Sequence, residues 1–286
     1  MKRLISSAIS LIILATLVLS LGSCMRDRVK SIDIKLTNEK YAYAVNKNDK
    51  ELLSTVNTVL DRIKKDGTLN EIVEKYFSGN EDEYLKVSAG VESLTKKQLV
   101  VVTHIPFSPF EFAKYESGKG KQFSGIDIEI ASLIAKEMGA ELVIKEKPLG
   151  ELLNEVAAGN ADIAMAGLTV TSDREKLVSF SDTYYEASQT IIVRADDTTF
   201  DDCKTRADVE KVLSSMGSSV KVGCQKNSTG ALYVKGDKSL GFAGYAITPV
   251  EYASAVHAAQ ALISEKVDLV IVDQCAGALI VKDINE

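Results

Sequence analysis

ADIAMAGLTVTSDREKLVSFSDTYY, residues 161–185, decides how the rest of the chain is read. Ala161 to Ala166 is a short apolar run that stops at Gly167, the pattern of a strand covered on both faces in a parallel sheet. Thr169, Thr171 and Ser172 then crowd hydroxyls into a turn before Asp173 to Leu177, a short helical start that puts Arg174 in its first turn. A cation there opposes the helix dipole, so a negative partner is expected beside it. A planar carboxylate matches the guanidinium fork, and free backbone N–H groups at a helix start hold the same oxygens. The competing reading pairs Arg174 with Glu175 or Asp182 on the surface.

Outward from this stretch, residues 98–166 read as β-α-β-α-β. Leu99 to Thr103 is a strand, Ile126, Ile130, Leu133, Ile134 and Met138 line one face of a helix closed by Gly139, and Leu142 to Ile144 is the next strand. A shorter helix carries Leu149, Leu152, Leu153 and Val156. This is half of a doubly wound sheet, where ligands sit at the carboxyl ends of strands. Those ends are His104 to Phe110, Lys145 to Leu149 and Gly167 to Thr171. After Tyr185, Thr190 to Val193 crosses to a second lobe. There Val220 to Gln225 is a strand before the turn Asn227-Ser228-Thr229-Gly230, Ala255 to Ser264 is a helix, and Val267 to Val272 is a buried strand ending at Asp273. A carboxylate at that strand end is costly unless it meets a cation, and the position suits an ammonium group.

G-L-T-V-T-S-D-R at 167–174 followed by F-S-D-T-Y-Y at 180–185 resembles the signature of the family 3 extracellular solute-binding proteins, the polar-amino-acid receptors of ABC importers. The similarity extends over most of residues 33–286. It implies an α/β fold of the two-lobed, type II periplasmic-binding-protein kind, each lobe a doubly wound, mostly parallel sheet with flanking helices, and a ligand cleft between the lobes. By the same resemblance, Arg174 and the backbone N–H groups of Thr169 and Thr229 hold an α-carboxylate. Asp273, the Gly167 carbonyl and the Thr169 hydroxyl hold an α-ammonium, and Leu168 and Ser228 belong to the same set. Phe107, in HIPFSPFEF, matches the aromatic on which the ligand stacks, with Phe110 and Phe112 assigned to the core. Gln225 matches a position facing the ligand side chain. His104 stands where many relatives carry Asp, and Leu149 where an aromatic is usual. Losing that Asp points to a neutral or acidic amino acid rather than a basic one.

Residues 41–77 depart from the family's order. Tyr41 to Val45 alternates like a strand, Glu51 to Lys65 carries Leu53, Val56, Leu60 and Ile63 at helical spacing, and a second short helix holds Ile72, Val73, Tyr76 and Phe77. This segment is similar to the one that normally ends a family 3 protein, yet here it comes first. A circular permutation is the expected explanation, with a broken tandem gene or a segment swapped between two chains as alternatives. The resulting division is a leader (1–24), a tether (25–32), the permuted closing segment (33–77), a linker (78–97), a first lobe (98–187) and a second lobe (188–286).

Met1-Lys2-Arg3 followed by the uncharged run from Leu4 to Ser23 reads as an export signal. Leu21-Gly22-Ser23-Cys24 resembles a lipobox, so lipidation at Cys24 is expected, with an uncleaved membrane anchor as the alternative. Either places the domain at the cell surface or in the periplasm, tethered to a membrane. A net charge of -6 without a basic run argues against a nucleic-acid partner. Beyond Cys24, Cys203, Cys224 and Cys275 are odd in number and lack metal spacing, and a Cys224–Cys275 disulfide is conceivable. No cofactor and no metal are expected. The expected partners are a free amino acid, an ABC permease subunit and the lipid anchor, for a protein acting as a monomer. The function expected is capture and delivery without catalysis. The alternatives are a non-transport sensor lipoprotein and a dehydratase-like enzyme for a cyclic carboxylic acid.

Overall fold

The computed structural model describes residues 28–286; the leader and the Cys24 lipidation site lie outside the described residues. Two five-stranded sheets carry the architecture. In the first, the spatial order is Ser179–Phe180, Ala44–Val45, Ile163–Ala164, Gln98–Thr103 and Glu141–Glu146. Gln98–Thr103 pairs in parallel with both Glu141–Glu146 and Ile163–Ala164, and the two remaining pairings are antiparallel. The second sheet runs Val29–Ser31, Gln189–Arg194, Leu269–Asp273, Lys221–Gln225 and Thr248–Tyr252. Here too one half is parallel and the other antiparallel. Each parallel trio is the doubly wound unit expected from the apolar runs, extended on one side by antiparallel strands.

The helix over Ile126–Met138 buries Ile126, Ile130 and Ile134 and ends at Gly139 in the left-handed region, as the spacing predicts. It starts against Gly125, whose φ of 129° and whose contact with the Phe110 carbonyl, 2.1 Å from where a Cβ would sit, leave no room for a side chain. The early segment folds onto this lobe. Helix Lys50–Lys65, capped by the Asp49 side chain accepting from the Leu52 N–H, buries Leu52, Val56, Val59, Leu60 and Ile63, and helix Thr68–Ser78 adds Leu69, Ile72 and Tyr76. Both stripes share one apolar cluster with Leu99, Val101, Ile126 and Ile130. Between the lobes, Glu39–Tyr41 pairs antiparallel with Tyr185–Ala187 as a two-stranded ribbon. Immediately after it the chain enters Gln189–Arg194 of the second sheet.

Three differences from the sequence reading have physical causes. Of the tether expected over 25–32, Val29–Ser31 is a strand on Gln189–Arg194, with Val29 1% exposed. A strand of three residues is too short for its apolar pattern to mark it in the sequence. Within 78–97, Val87–Ser88 joins the unanticipated hairpin Phe112–Glu116 and Gly120–Ser124 in a three-stranded sheet. That hairpin mixes Phe, Tyr and Ala with Lys, Glu, Gln and Gly in no regular alternation, so no period-two apolar pattern marks it. Cys203, Cys224 and Cys275 are all free thiols. Cys224 lies against the Val250 carbonyl and Cys275 against Asp273, so the conceivable disulfide between them is not formed. No helix among the described residues is long and apolar enough to cross a membrane.

Candidate functional site

Arg174 sits in the single-turn helix Ser172–Glu175, begun by Thr171, whose hydroxyl accepts from the Arg174 N–H at 3.1 Å. The alternative surface pairing with Glu175 or Asp182 is not made. The half-buried guanidinium instead donates to the Thr169 carbonyl at 2.7 Å and, across the cleft, to the Asn227 carbonyl at 3.4 Å. Burial pulls its pKa down, and the Glu39 carboxylate opposes this most strongly. Asp273 ends the strand Leu269–Asp273 and caps the helix Gln274–Asn285, accepting from the Cys275 N–H at 3.2 Å. It is 5% exposed and also accepts from the Tyr41 hydroxyl and, at 3.0 Å, from the Cys275 thiol. Burial pushes its pKa up to about 6, against the hydrogen bonds from Tyr41 and Cys275.

Both groups line one cavity between the lobes. Its wall also includes His104, Phe107, Leu149, Gly167 and Leu168 from the first lobe and Gln225, Ser228 and Thr229 from the second. Thr169 is the one expected residue that is not on the wall. Its hydroxyl is buried between Glu39, to which it donates at 2.6 Å, and the Thr229 hydroxyl, from which it accepts at 3.0 Å. The cavity measures about 50 Å³, on the order of the space one or two waters occupy, so admitting an amino acid requires the lobes to part. Gly167 has φ 52°, and a Cβ there would lie 2.5 Å from the Phe107 ring. Only glycine lets its backbone approach the aromatic wall. Phe107 stacks on Phe110, with centroids 5.3 Å apart, and Phe110 is wholly buried as expected.

Two groups on the wall are left unpaired. His104 donates from Nδ1 to the Lys147 carbonyl at 2.9 Å, since a carbonyl only accepts, and its buried Nε2 has no hydrogen-bond partner. Glu111, 1% exposed, finds no donor for either carboxylate oxygen; it faces Asp127, with which it can share a hydrogen bond only when one of the two carboxyls is protonated. Burial first, and then Asp127, push its pKa well above the ordinary carboxylate range. Asp127 in turn accepts from the Gly167 N–H at 3.0 Å and the Tyr43 hydroxyl at 3.1 Å. Tyr41, Glu111 and Gln189 are wall residues that sequence reasoning missed. For Glu111 a signal existed, a charge between Phe110 and Phe112 in an otherwise apolar run. Tyr41 meets Asp273 across 232 positions of chain, and nothing local announces that contact. Among the described residues no group of three or more His, Cys, Asp or Glu is placed to hold a metal ion. The arrangement offers a cation from one lobe and a carboxylate from the other to a single small molecule.

The model of the bacterial extracellular solute-binding proteins, family 3, matches residues 6–79 and 99–240. The chain is similar to the arginine-binding extracellular protein ArtP of Bacillus subtilis (strain 168), 32% identical over 109 residues that make up 38% of this chain and 40% of that protein. The chain thus spans less than half the length of the curated relatives it first matches. Among solved structures, an ancestral arginine-binding protein bound to arginine superposes with a TM-score of 0.54 at 30% identity, covering 66% of this chain and 75% of that one. The ancestral amino acid-binding protein AncCDT-1, a precursor of cyclohexadienyl dehydratase, gives 0.53 at 26% identity over 75% of this chain and 78% of that one. The fold is therefore the two-lobed, type II arrangement of periplasmic amino-acid-binding proteins. With the family model covering well over half of the sequence, the chain belongs to the bacterial extracellular solute-binding proteins of family 3.

Proposed function

We propose that this protein captures a free amino acid outside the cell by closing its two lobes around it and delivers it to the permease of an ABC importer, tethered to the membrane through Cys24. The observation carrying this reading is that Arg174 and Asp273, from opposite lobes, line the same cavity. Arg174, with the N–H groups of Thr169 and Thr229, takes the ligand carboxylate, and Asp273 with the Gly167 carbonyl takes the ammonium. A zwitterion satisfies both lobes at once, so it favours the closed state over the open one and thereby drives closure. On the side-chain end, His104 in place of an Asp and the aliphatic Leu149 wall favour a neutral or acidic side chain over a basic one. Mass spectrometry of small molecules released on denaturing the purified protein, followed by calorimetry with each proteinogenic L-amino acid, tests this. One amino acid should be released and should rebind; failure of all of them to bind would end the reading.

The Asp273 pKa adds a pH signature. Its value of about 6 lies above the ordinary 3.8, so ligand-free Asp273 is half protonated near pH 6, while an ammonium ligand demands the carboxylate. Affinity should be roughly tenfold weaker at pH 5 than at pH 7, with close to one proton released on binding at pH 5 and none above pH 8. Calorimetry in buffers of different ionisation enthalpy measures that count directly.

The permuted order belongs to the same proposal, with the part of 33–77 from Ala44 onward and 98–187 forming one lobe, and 188–286, joined by Val29–Ser31 and Leu36, the other. Its support is that Ala44–Val45 and the helices Lys50–Lys65 and Thr68–Ser78 complete the lobe built by residues 98–187. A rearranged gene that places residues 28–79 after residue 286 should yield a folded protein of unchanged ligand affinity.

A second reading, a dehydratase-like enzyme, draws on one observation: Glu111, whose carboxyl burial biases toward the protonated form, and His104, whose Nε2 has no partner, line the same cavity and supply the two side-chain types that acid–base chemistry uses. Turnover of a cyclic carboxylic acid, lost in Glu111→Gln, would favour it over capture.

A further inference from the structure

Glu39 lies on the ribbon between the lobes, opposite Ala187, and is 3% exposed. One carboxylate oxygen accepts from the Thr37 hydroxyl at 2.6 Å and the other from the Thr169 hydroxyl at 2.6 Å. The chain of bonds continues at both ends. The Gln189 N–H donates to the Thr37 hydroxyl at 2.9 Å, and the Thr229 hydroxyl donates to that of Thr169 at 3.0 Å. A hydroxyl has one proton and a carboxylate can only accept. The Thr37 and Thr169 protons are thus both committed to Glu39, and Thr169 has only lone pairs to offer anything else. Its present donor, Thr229, belongs to the opposite lobe, so opening the cleft uncovers an oxygen already oriented to accept. The same carboxylate is the strongest influence holding the Arg174 charge against burial. A plain structural brace would account for the burial and the satisfied bonds of Glu39. What distinguishes Glu39 is placement: the hydroxyl it orients, Thr169, meets the opposite lobe at Thr229.

We infer that Glu39 is a positioning residue for ligand recognition: by taking the Thr169 proton it makes that hydroxyl an acceptor for the ligand's α-ammonium, and its charge sits behind Arg174 at the carboxylate end. The inference rests on the amino-acid-binding reading. Its two actions have opposite signs for the two ends of a zwitterion. The oriented Thr169 oxygen favours the ammonium, whereas the Glu39 charge opposes the ligand carboxylate beside Arg174. Replacing the carboxylate by a carboxamide supplies an N–H₂ group that competes to donate to a threonine hydroxyl, so the ammonium end loses an acceptor while the carboxylate end does not lose its cation.

The test compares the tightest-binding proteinogenic L-amino acid with its α-deamino carboxylic acid, by calorimetry on the wild-type protein, Glu39→Gln and Thr37→Val. In Glu39→Gln the preference for the amino acid should fall roughly ten- to a hundredfold, with the deamino acid bound as well as or better than by the wild type. Thr37→Val, which loosens only the hinge end of the chain, should keep the wild-type preference. Parallel weakening of both ligands in Glu39→Gln, or an equal loss of preference in Thr37→Val, overturns the inference and leaves the amino-acid reading standing. A wild-type protein that binds none of the amino acids overturns both. If Glu39→Gln does not fold by circular dichroism, Glu39→Asp reads the same ratio: it keeps the charge but withdraws it from Thr169 by one methylene, and an undiminished preference there counts against the inference.

Discussion

Arg174→Ala should weaken amino-acid binding by roughly 30- to 4,000-fold, the range that follows from removing one member of a desolvated, hydrogen-bonded charge pair. The guanidinium now spends its donors on two carbonyls, Thr169 in the first lobe and Asn227 in the second. A carboxylate is a stronger acceptor than either, because charge-assisted bonds are about twice as strong as neutral ones. The ligand would thus displace weak contacts with strong ones in the variant's parent, and would face only backbone N–H groups in the variant itself. The ligand-free protein should tolerate the change within a few degrees of melting temperature, since two bonds from a half-buried side chain are at stake and each contributes about 1 kcal/mol. Titration calorimetry that returned near-wild-type affinity would remove Arg174 from the pocket's chemistry.

Asp273→Asn should produce the opposite pair of effects on binding and stability. The ammonium loses its charge partner, which costs affinity on the same scale as the loss of Arg174. Ligand-free stability should rise at pH 7. The carboxyl is held at about 6 against an ordinary 3.8, so ionising it inside the fold costs on the order of 3 kcal/mol. The sign follows from the raised value: the stabilising contribution of the protonated form is complete below pH 4, is lost as pH climbs through 6, and the full cost of the buried charge is present at neutrality. Denaturant unfolding at pH 4 and at pH 7 separates the two regimes, with the variant matching the wild type at the lower pH and exceeding it at the higher. Equal stability at both would mean that Asp273 is not strained by its burial. The outcome also bears on mechanism, because a carboxylate kept costly in the empty cleft and relieved by an ammonium makes closure ligand-dependent.

The elements that carry the pocket were legible wherever a local pattern sufficed. Helix Ile126–Met138 follows from its apolar stripe and closing glycine, and Gln98–Thr103 and Leu269–Asp273 follow from their apolar runs. Arg174 and Asp273 were legible because each stands at a position where its charge conflicts with its surroundings unless something answers it. The strand expected over 161–166 forms ladder bonds only at Ile163–Ala164, the neighbours being taken up by the turn into the cleft. Thr169 illustrates the boundary of such reasoning. Its turn was placed correctly, but its hydroxyl faces Glu39 and Thr229, 130 and 60 positions away.

The amino-acid order by itself determined the class of each segment, the family signature and the two opposed charges, because those depend on spacing within a few residues and on the cost of burying an ion. Tertiary structure alone decided that Val29–Ser31 is a sheet strand, that Tyr41 and Glu111 line the pocket and that Glu39 lies behind Thr169. The reason is that side-chain partnership across a hinge is set by how two independently twisted sheets meet, and no periodicity along the chain encodes which distant residues that meeting brings together.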